Sequence, residues 1–270
     1  MLHPLNVHRV ACAFSAKAQR GKPIYGRIQD SLHSSVMEYN ERMTTFFITG
    51  IDTNIGKTWA TGMIARYLHQ QRKKVITQKL VQTGQDGVHS EDILEHRRLM
   101  GIEPLPEDLP QFSSSGSLTC PYSFAYPASP HLAARLEGRV VEPESITHAT
   151  ETLQKRFEFV LLEGAGGFLV PLTPHLLTAD YIAQQRYPVI LVTSGKLGNI
   201  NHTLLTVEAI RHRNLSLACL VFNQSPPYDD TISNDSLELF RQICPNVAVL
   251  PCINLKRIPE VDFSCLLEES

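Results

Sequence analysis

The chain has 270 residues, of which 43% are hydrophobic and 19% are charged, a balance typical of a globular protein with a sizeable core. Its formal net charge of −2 excludes the basic field that would attract nucleic acid or an anionic membrane. Its six cysteines show no CxxC pair and no zinc-site spacing, and no apolar run approaches the roughly 20 residues of a membrane helix, so we expect a cytoplasmic protein with buried thiols.

Residues 1–42 differ from the rest of the chain. They hold six Lys or Arg and three acidic residues, with no sustained helical or strand period. An organelle transit peptide and a disordered extension both fit this composition. A start codon assigned too far upstream, with Met43 as the true start, fits best, because a clear strand follows Met43 at once. We therefore expect a leader outside the fold and one α/β domain over residues 43–270.

From Met43 onward, short apolar runs alternate with helical patterns. Six runs rich in β-branched or aromatic residues predict buried parallel strands: Thr45–Thr49, Val75–Gln78, Phe159–Leu162, Val189–Thr193, Leu217–Phe222 and Val247–Leu250. The helical patterns between them include Gly56–Gln71, Ser145–Arg156 and Asn201–Arg211. This alternation predicts a doubly wound, mainly parallel α/β sheet that binds ligands at the carboxyl ends of its strands. The Pro- and Ser-rich stretch Pro104–Ser117 is predicted to be a surface loop.

The first predicted strand is followed by Gly50–Thr58, which is close to a phosphate-binding loop. It ends in Gly-Lys-Thr and has one residue more between its glycines than the Walker A pattern. In such a loop, backbone N–H groups converge on phosphate oxygens, Lys57 reaches the β- and γ-phosphates, and the Thr58 hydroxyl ligates Mg²⁺. A glycine-containing turn with a chance GKT is the alternative. The flanking strand and helix favour a P-loop NTPase-like protein.

An acidic residue follows the third predicted strand. Glu163 comes directly after Phe159–Leu162 and precedes the glycine-rich Gly164–Gly167. A carboxylate at a strand end can hold Mg²⁺, directly or through water. A solvated acid is the alternative, and the phosphate loop in the same chain favours the functional interpretation.

Taken together, six segments resemble the dethiobiotin synthetase family of biotin biosynthesis. They are Gly50–Thr58, Lys79–Gly84, Ser129–His131, Glu163–Gly167, Lys196–His202 and Asn223. They follow the family's order through most of residues 43–251, and the lengthened phosphate loop is itself typical of the family. The combination is specific, although each segment alone is not.

The resemblance implies that 7,8-diaminopelargonic acid, CO₂ and ATP give dethiobiotin, ADP and phosphate. One amine of the substrate captures CO₂ as an N-carbamate, and the carbamate then attacks the γ-phosphate to form a carbamic–phosphoric anhydride. The second amine closes the ureido ring and expels phosphate. The resemblance also implies a homodimer with the substrate near the subunit interface.

Matched residues take catalytic and metal-binding roles by the same resemblance. Lys57 and Lys79 match catalytic lysines, and Thr83 matches a substrate-binding hydroxyl. Together with Thr58 and Glu163, Asp92 completes an all-oxygen Mg²⁺ site, the ligand set this ion prefers. From the residues alone, a solvated strand-end lysine is the favoured interpretation of Lys79. Asp92 is equally an ordinary charge at a helix start, and Thr83 a turn residue.

The resemblance further implies a nucleotide site. Its residues are Asn54, Ile55, Gly56, Lys57, Thr58, Trp59, Asp92, Glu163, Gly164, Ala165, Gly166, Asn223, Gln224, Pro251, Cys252 and Ile253. The Asn223 carboxamide has both a donor and an acceptor with which to read an adenine edge. Pro251–Ile253 matches a base-binding loop, with a plain strand exit as the alternative.

The chain departs from the family pattern at three positions. Leu80 stands where the family usually has proline, and Asn54 where many members have an acid. Ser236 falls where some members place an aromatic residue toward the partner subunit's substrate. These changes bear on substrate affinity and nucleotide preference rather than on the reaction class.

Three rival interpretations compete with a synthetase. A ParA/MinD-type ATPase switch places a second lysine before the loop glycines, where this chain has Asp52. A cobyrinate-type amide-forming synthetase needs a glutaminase domain, for which we expect no room. A non-catalytic nucleotide-binding relic conflicts with the retention of Lys57, Thr58, Lys79 and Glu163.

Overall fold

A parallel six-stranded sheet organises the part of the chain that the structure describes. The computed structural model describes residues 44–85, 89–110, 116–225, 228–252 and 261–267. All of them belong to one compact unit, Glu41–Ser270. The interpretation of residues 1–42 as a leader falls outside the described residues and stays a prediction.

The described residues form ten strands. In chain order they are β1 Thr44–Gly50, β2 Val75–Lys79, β3 Gln82–Thr83, β4 Ser123–Phe124, β5 Phe159–Gly167, β6 Pro171–Thr173, β7 Leu176–Leu177, β8 Val189–Ser194, β9 Leu217–Asn223 and β10 Ala248–Cys252. The central sheet has the order β10-β9-β8-β1-β5-β2, and every neighbouring pair in it is parallel. These six are the six strands predicted from the apolar runs. The short pairs β3–β4 and β6–β7 form separate two-stranded sheets.

Helices cover both faces of the central sheet. They are α1 Lys57–Gln70, α2 Glu91–Met100, α3 Pro130–Leu136, α4 Pro143–Gln154, α5 Thr178–Gln185, α6 Asn199–His212 and α7 Asp230–Ile243, with 3-10 turns at Pro106–Asp108 and Ser264–Leu266. Alternate residues of β1 belong to different cores: Phe46 and Ile48 pack with α1 and α2, and Phe47 packs with residues of α3 to α6. The doubly wound prediction is confirmed. None of the helices in the described ranges is long and apolar enough to cross a membrane.

The prediction that β5 ends before Glu163 is wrong, because the strand continues through Gly167. Glu163 lies mid-strand, in register with Ile48 of β1 on one side and Lys79 of β2 on the other. The strand continues through the glycines after it because β1 still lies alongside. Gly166 turns through left-handed backbone (φ 72°) near an irregularity in the pairing, and Gly167 is in register with Gly50. Tertiary pairing therefore overrides the low strand propensity of glycine.

The prediction of a surface loop over Pro104–Ser117 is wrong at Glu107 and Asp108, which are buried, and its residues 111–115 lie outside the described part of the chain. Asp108, in the 3-10 turn of this segment, is buried and accepts two hydrogen bonds from the buried Arg97 guanidinium, at 2.8 and 2.9 Å. It also accepts from the Thr119 hydroxyl at 2.8 Å, and the Thr119 carbonyl accepts from the backbone N–H of Lys79 at 2.7 Å. This network fixes the point where β2 ends. Burial would raise the pKa of Asp108, but the hydrogen bonds and charge of Arg97 hold it below its ordinary value.

We expect Asp108→Ala to destabilise the protein by about 3–5 kcal/mol, because it leaves the Arg97 charge buried without a partner. Denaturant unfolding at neutral pH measures the change in free energy. The depressed pKa of Asp108 means that its stabilisation is complete at neutral pH and is lost only as the pH falls through the folded-state pKa, below the ordinary value of 3.8. The difference in free energy of unfolding between the wild type and Asp108→Ala should therefore become smaller only in strong acid.

The exposed pair of Arg98 and Glu95 on α2 provides the matched control. Glu95→Ala should change the free energy of unfolding by no more than about 1 kcal/mol, as is usual for a solvated ion pair. Equal effects of Asp108→Ala and Glu95→Ala would contradict the assignment of the buried network as a structural anchor.

Candidate active site

The phosphate-binding segment Gly50–Thr58 forms a loop between the end of β1 and the start of α1. Its chain turns through left-handed backbone at Asn54 (φ 56°) and Gly56 (φ 97°). Helix α1 has no side-chain cap at its N-terminus, so its first-turn N–H groups are suited to an anion. The loop geometry agrees with the prediction of a phosphate site.

Lys57 is the first residue of α1, and its side chain is buried against the loop. Its Nζ donates a hydrogen bond to the Asp52 carbonyl oxygen at 2.9 Å. Burial, and next the nearby charge of Lys79, lower the pKa of Lys57 to about 8. Because burial and Lys79 both disfavour the charged form of Lys57, a nearby anion such as phosphate would stabilise its ammonium.

Asn223, the last residue of β9, holds the phosphate loop from the neighbouring strand. Its Nδ2 donates to the Ile55 carbonyl oxygen at 2.9 Å, and its Oδ1 accepts from the Ser225 backbone N–H at 3.0 Å. A Cβ at Gly56 would collide with this carboxamide, so the loop needs glycine there both for its positive φ and for the close approach of Asn223. Asn223 thus contacts the loop in this structure, and its predicted contact with an adenine edge stays a prediction.

Four side chains meet beside the loop: Thr58, Lys79, Asp92 and Glu163. The Thr58 hydroxyl contacts Asp92 Oδ1 at 2.9 Å and Glu163 Oε1 at 3.1 Å. Lys79 Nζ lies 2.5 Å from Asp92 Oδ2 and 2.7 Å from Glu163 Oε1, and it donates to the Gly164 carbonyl oxygen at 3.2 Å. Three predicted metal ligands and one predicted catalytic lysine therefore share one cluster, called the carboxylate–lysine cluster below.

Strong pKa shifts follow from this cluster. Burial would lower the pKa of Lys79, but Glu163 and Asp92 outweigh it and raise the pKa above its ordinary value. Burial would likewise raise the pKa of Glu163, but Lys79 and a hydrogen bond from His96 outweigh it and hold the pKa far below the ordinary value. At neutral pH Lys79 is an ammonium and Glu163 a carboxylate. Lys79 is therefore suited to charge stabilisation and not to proton abstraction.

His96 belongs to the same site and was not predicted from the sequence. It lies on α2, four residues after Asp92, and its side chain is fully buried. Its Nε2 is 2.7 Å from Glu163 Oε2. The signal that would have found it is the i, i+4 spacing, which puts His96 and Asp92 on one face of α2.

The oxygens of the cluster fit the donor set of Mg²⁺. Within the described ranges, no group of three or more His, Cys, Asp or Glu residues is gathered for a metal. A cation would instead rely on the hydroxyl of Thr58 and the carboxylates of Asp92 and Glu163, completed by phosphate oxygens or water. Mg²⁺ usually binds in this way, through one or two carboxylates and substrate phosphates.

Thr83 lies beyond the cluster, on the short strand β3, and is half-buried. It is in register with Phe124 of β4, so it is a strand residue and not the turn residue of the alternative. Its neighbour Gln82 accepts a hydrogen bond from Ser90, the N-cap of α2, at 2.7 Å. The strand that carries Thr83 is thereby tied to the helix that carries Asp92.

The remaining predicted nucleotide residues occupy different environments. Trp59 lies on α1 with its side chain buried in the core, so only its backbone is left to contact a ligand. Ala165 and Gly166 continue β5, and Pro251 and Cys252 lie within β10, in register with Phe222 and Asn223. Gln224 has a buried Oε1 with no hydrogen-bond partner in the described part of the chain. Ile253 lies outside the described residues.

Two departures from the family pattern are buried within the chain. Leu80 is fully buried among the residues that pack with α3 to α6. Ser236, on α7, is also fully buried, and its hydroxyl donates to Asn199 Oδ1 at 3.3 Å. The Ser236 side chain therefore points into its own fold, and the effect of this departure on substrate affinity stays a prediction.

Comparison with known proteins agrees with the predicted fold and family. Residues 44–257 match the profile of a family described as an AAA domain. The chain is 49% identical over 197 residues to ATP-dependent dethiobiotin synthetase BioD 2 of Pasteurella multocida, covering 73% of this chain and 89% of the relative. It is 50% identical over 183 residues to the protein of the same name from Haemophilus influenzae, covering 68% and 92%. The dethiobiotin synthetase BioD of Chlorobaculum tepidum is 49% identical over 192 residues, covering 71% and 77%.

We expect Asn223→Ala to weaken the binding of ATP and of inorganic triphosphate to the same degree, because the side chain holds the loop rather than the base. The variant should also lose about 1–3 kcal/mol of folding free energy with its buried hydrogen bonds. Calorimetric titration of both ligands, with denaturant unfolding, measures these effects. Weakened binding of ATP alone would show instead that Asn223 contacts the adenine.

Proposed function

The chain belongs to the dethiobiotin synthetase family, and we propose that it converts 7,8-diaminopelargonate, CO₂ and ATP into dethiobiotin, ADP and phosphate. The observation that carries the proposal is the carboxylate–lysine cluster at the mouth of the phosphate loop. Its Lys79 ammonium and its Thr58 hydroxyl share the carboxylates of Asp92 and Glu163 at 2.5 to 3.1 Å. A fixed ammonium beside carboxylates that can hold a cation suits a reaction in which an anionic carbamate meets an anionic triphosphate.

The proposed reaction has three bond-making steps. An amine of the substrate attacks CO₂, forms an N–C bond and releases a proton to give the carbamate. A carbamate oxygen then attacks the γ-phosphorus of ATP, and the bond from that phosphorus to the β,γ-bridging oxygen breaks to release ADP. The second amine attacks the carbonyl carbon of the resulting anhydride, loses its proton, and expels phosphate as the ureido ring closes.

Two lysines would stabilise the charge that moves in these steps. Lys57, at the start of α1, is placed for the β- and γ-phosphates. Lys79 holds its proton at neutral pH because its pKa is raised, so it acts as a fixed positive charge toward the carbamate and the transferred phosphoryl group. Preorganised charge of this kind is often the largest single contribution to an enzyme's rate.

Mg²⁺ would be held by Thr58, Asp92 and Glu163. When bound, the ion neutralises the phosphate oxygens and favours phosphoryl transfer. The low pKa of Glu163 keeps its carboxylate ionised at neutral pH, as a metal ligand must be. Thr83, on the strand linked to α2 through Gln82, would offer its hydroxyl to the diamine substrate.

The family resemblance also supports a homodimer and a cytoplasmic location. No contact within a single chain bears on either. Light scattering on the purified protein measures its molecular mass in solution. A monomeric mass at the concentration used for the activity assay would contradict the proposed dimer.

Incubation of the protein with diaminopelargonate, bicarbonate and Mg·ATP tests the proposed reaction. We expect dethiobiotin and phosphate to form in equal amounts, and phosphate release to depend on the diamine. Omission of the diamine is the control. ATP hydrolysis that proceeds equally without the diamine would favour a switch-type ATPase.

We expect Lys79→Met to lower kcat by about 10²–10³-fold, because it removes a fixed charge used in the transition state. The affinity for ATP should stay close to that of the wild type, since Lys57 and the loop amides remain. Single-turnover kinetics and nucleotide titration separate the two effects. Lys155→Met, at an exposed position at the end of α4, is the matched control and should leave both unchanged.

Because Lys79→Met leaves two carboxylates without their buried cation, a melting curve should accompany the kinetics. Lys79→Arg keeps the charge but displaces it, and we expect it to fold and to remain slow. Turnover near the wild-type rate in a folded Lys79→Met protein would exclude Lys79 from the mechanism.

A further inference from the structure

His96 contacts the carboxylate oxygen of Glu163 that Lys79 and Thr58 do not contact. Glu163 Oε1 contacts Lys79 at 2.7 Å and Thr58 at 3.1 Å, whereas Oε2 contacts His96 Nε2 at 2.7 Å. Each carboxylate oxygen thus has its own partners. The histidine is fully buried, so water does not compete for this hydrogen bond.

The partners of the imidazole fix which nitrogen carries the proton. An ionised carboxylate only accepts hydrogen bonds, so His96 Nε2 must donate to Glu163 Oε2. His96 Nδ1 is buried and has no hydrogen-bond partner among the described residues. A buried lone pair is tolerated there more readily than a buried N–H without an acceptor, so the neutral ring with its proton on Nε2 suits both nitrogens.

One helix carries both halves of this arrangement. Asp92 and His96 lie one turn apart on α2, and both reach the cluster, Asp92 toward Thr58 and Lys79 and His96 toward the far oxygen of Glu163. A carboxylate that rotates freely could turn either oxygen, or both, toward a cation. Lys79 and Thr58 hold Oε1, and the hydrogen bond from His96 holds Oε2, so the carboxylate is restrained at both oxygens with Oε1 toward the Thr58 hydroxyl.

We propose that His96 is a positioning residue, which directs one oxygen of Glu163 toward the bound magnesium–nucleotide complex by holding the other. The inference rests on the proposed function, in which Glu163 is a ligand of that ion. Hydrogen-bond partners of metal ligands orient them, and their loss commonly lowers metal affinity or activity by about 10- to 100-fold.

The test measures how strongly Mg²⁺ and ADP favour each other's binding. Calorimetry gives the affinity for ADP with saturating Mg²⁺ and with EDTA, and the ratio of the two is the metal linkage. We expect His96→Leu to reduce this ratio by about 10-fold or more, while metal-free ADP binds as in the wild type. His96→Gln, whose side-chain amide can place an N–H near the position of Nε2, should keep a ratio close to that of the wild type.

Two further variants keep the result decisive. His96→Asn is polar like the glutamine variant but too short to reach Glu163, so it should behave like His96→Leu. If the leucine variant does not fold, the comparison of His96→Gln with His96→Asn tests the proposal instead. His148→Leu, at an exposed position on α4, is the matched control and should leave the ratio unchanged.

An unchanged ratio in folded His96→Leu or His96→Asn would overturn the inference. An equal loss of affinity with and without Mg²⁺ would also overturn it, because that pattern reports a general structural role. A wild-type protein without any metal linkage would instead remove the metal from the proposed function, and the role of His96 with it.

Discussion

The ion pair between Lys79 and Glu163 is the interaction on which the rest of the site depends. Both side chains are almost completely shielded from solvent, and a charge in such a place is stable only with a close, hydrogen-bonded partner. The sheet provides that partner directly, since Lys79 and Glu163 are in register on adjacent strands. Asp92 is the second carboxylate paired with Lys79, and with Lys57 nearby the two lysines and two carboxylates carry no net charge. The protein can therefore bury this much charge at the place where a highly charged nucleotide would bind.

The strand order explains how this set reaches the phosphate loop. β5 lies between β1 and β2, so Glu163 stands between the strand that leads into the loop and the strand that ends in Lys79. From the other side of β1, the sheet continues through β8 to β9, whose final residue Asn223 holds the loop at Ile55. The carboxyl ends of parallel strands lie at one edge of the sheet. At this edge the phosphate loop, Asn223 and the charged side chains of the cluster lie close together.

Much of this arrangement was predictable from the sequence, and the errors have physical causes. The six strands and the phosphate loop follow from local patterns, which are apolar runs, glycines and a lysine at fixed spacing. The glycine-rich run after Glu163 predicts a strand end there, yet β1 continues alongside and pairs again at Gly167. The anchoring role of Asn223, the burial of Ser236 and the Arg97–Asp108 pair depend on which distant segments meet, and no local pattern contains that information. His96 lies between these cases, since its spacing from Asp92 was visible but its partner on β5 was not.

The mid-strand position of Glu163 also restricts how the gene can change. Successive side chains of a strand point to opposite faces, so inserting or deleting one codon between Phe159 and Glu163 would turn the carboxylate away from Lys79. The shifted side chains of β5 would also point into the opposite core. Point substitutions at the apolar positions of β5 can be absorbed by repacking, but a shift in length cannot. The geometry of the sheet therefore favours changes of chain length in the connecting segments and disfavours any between the start of β5 and its acid.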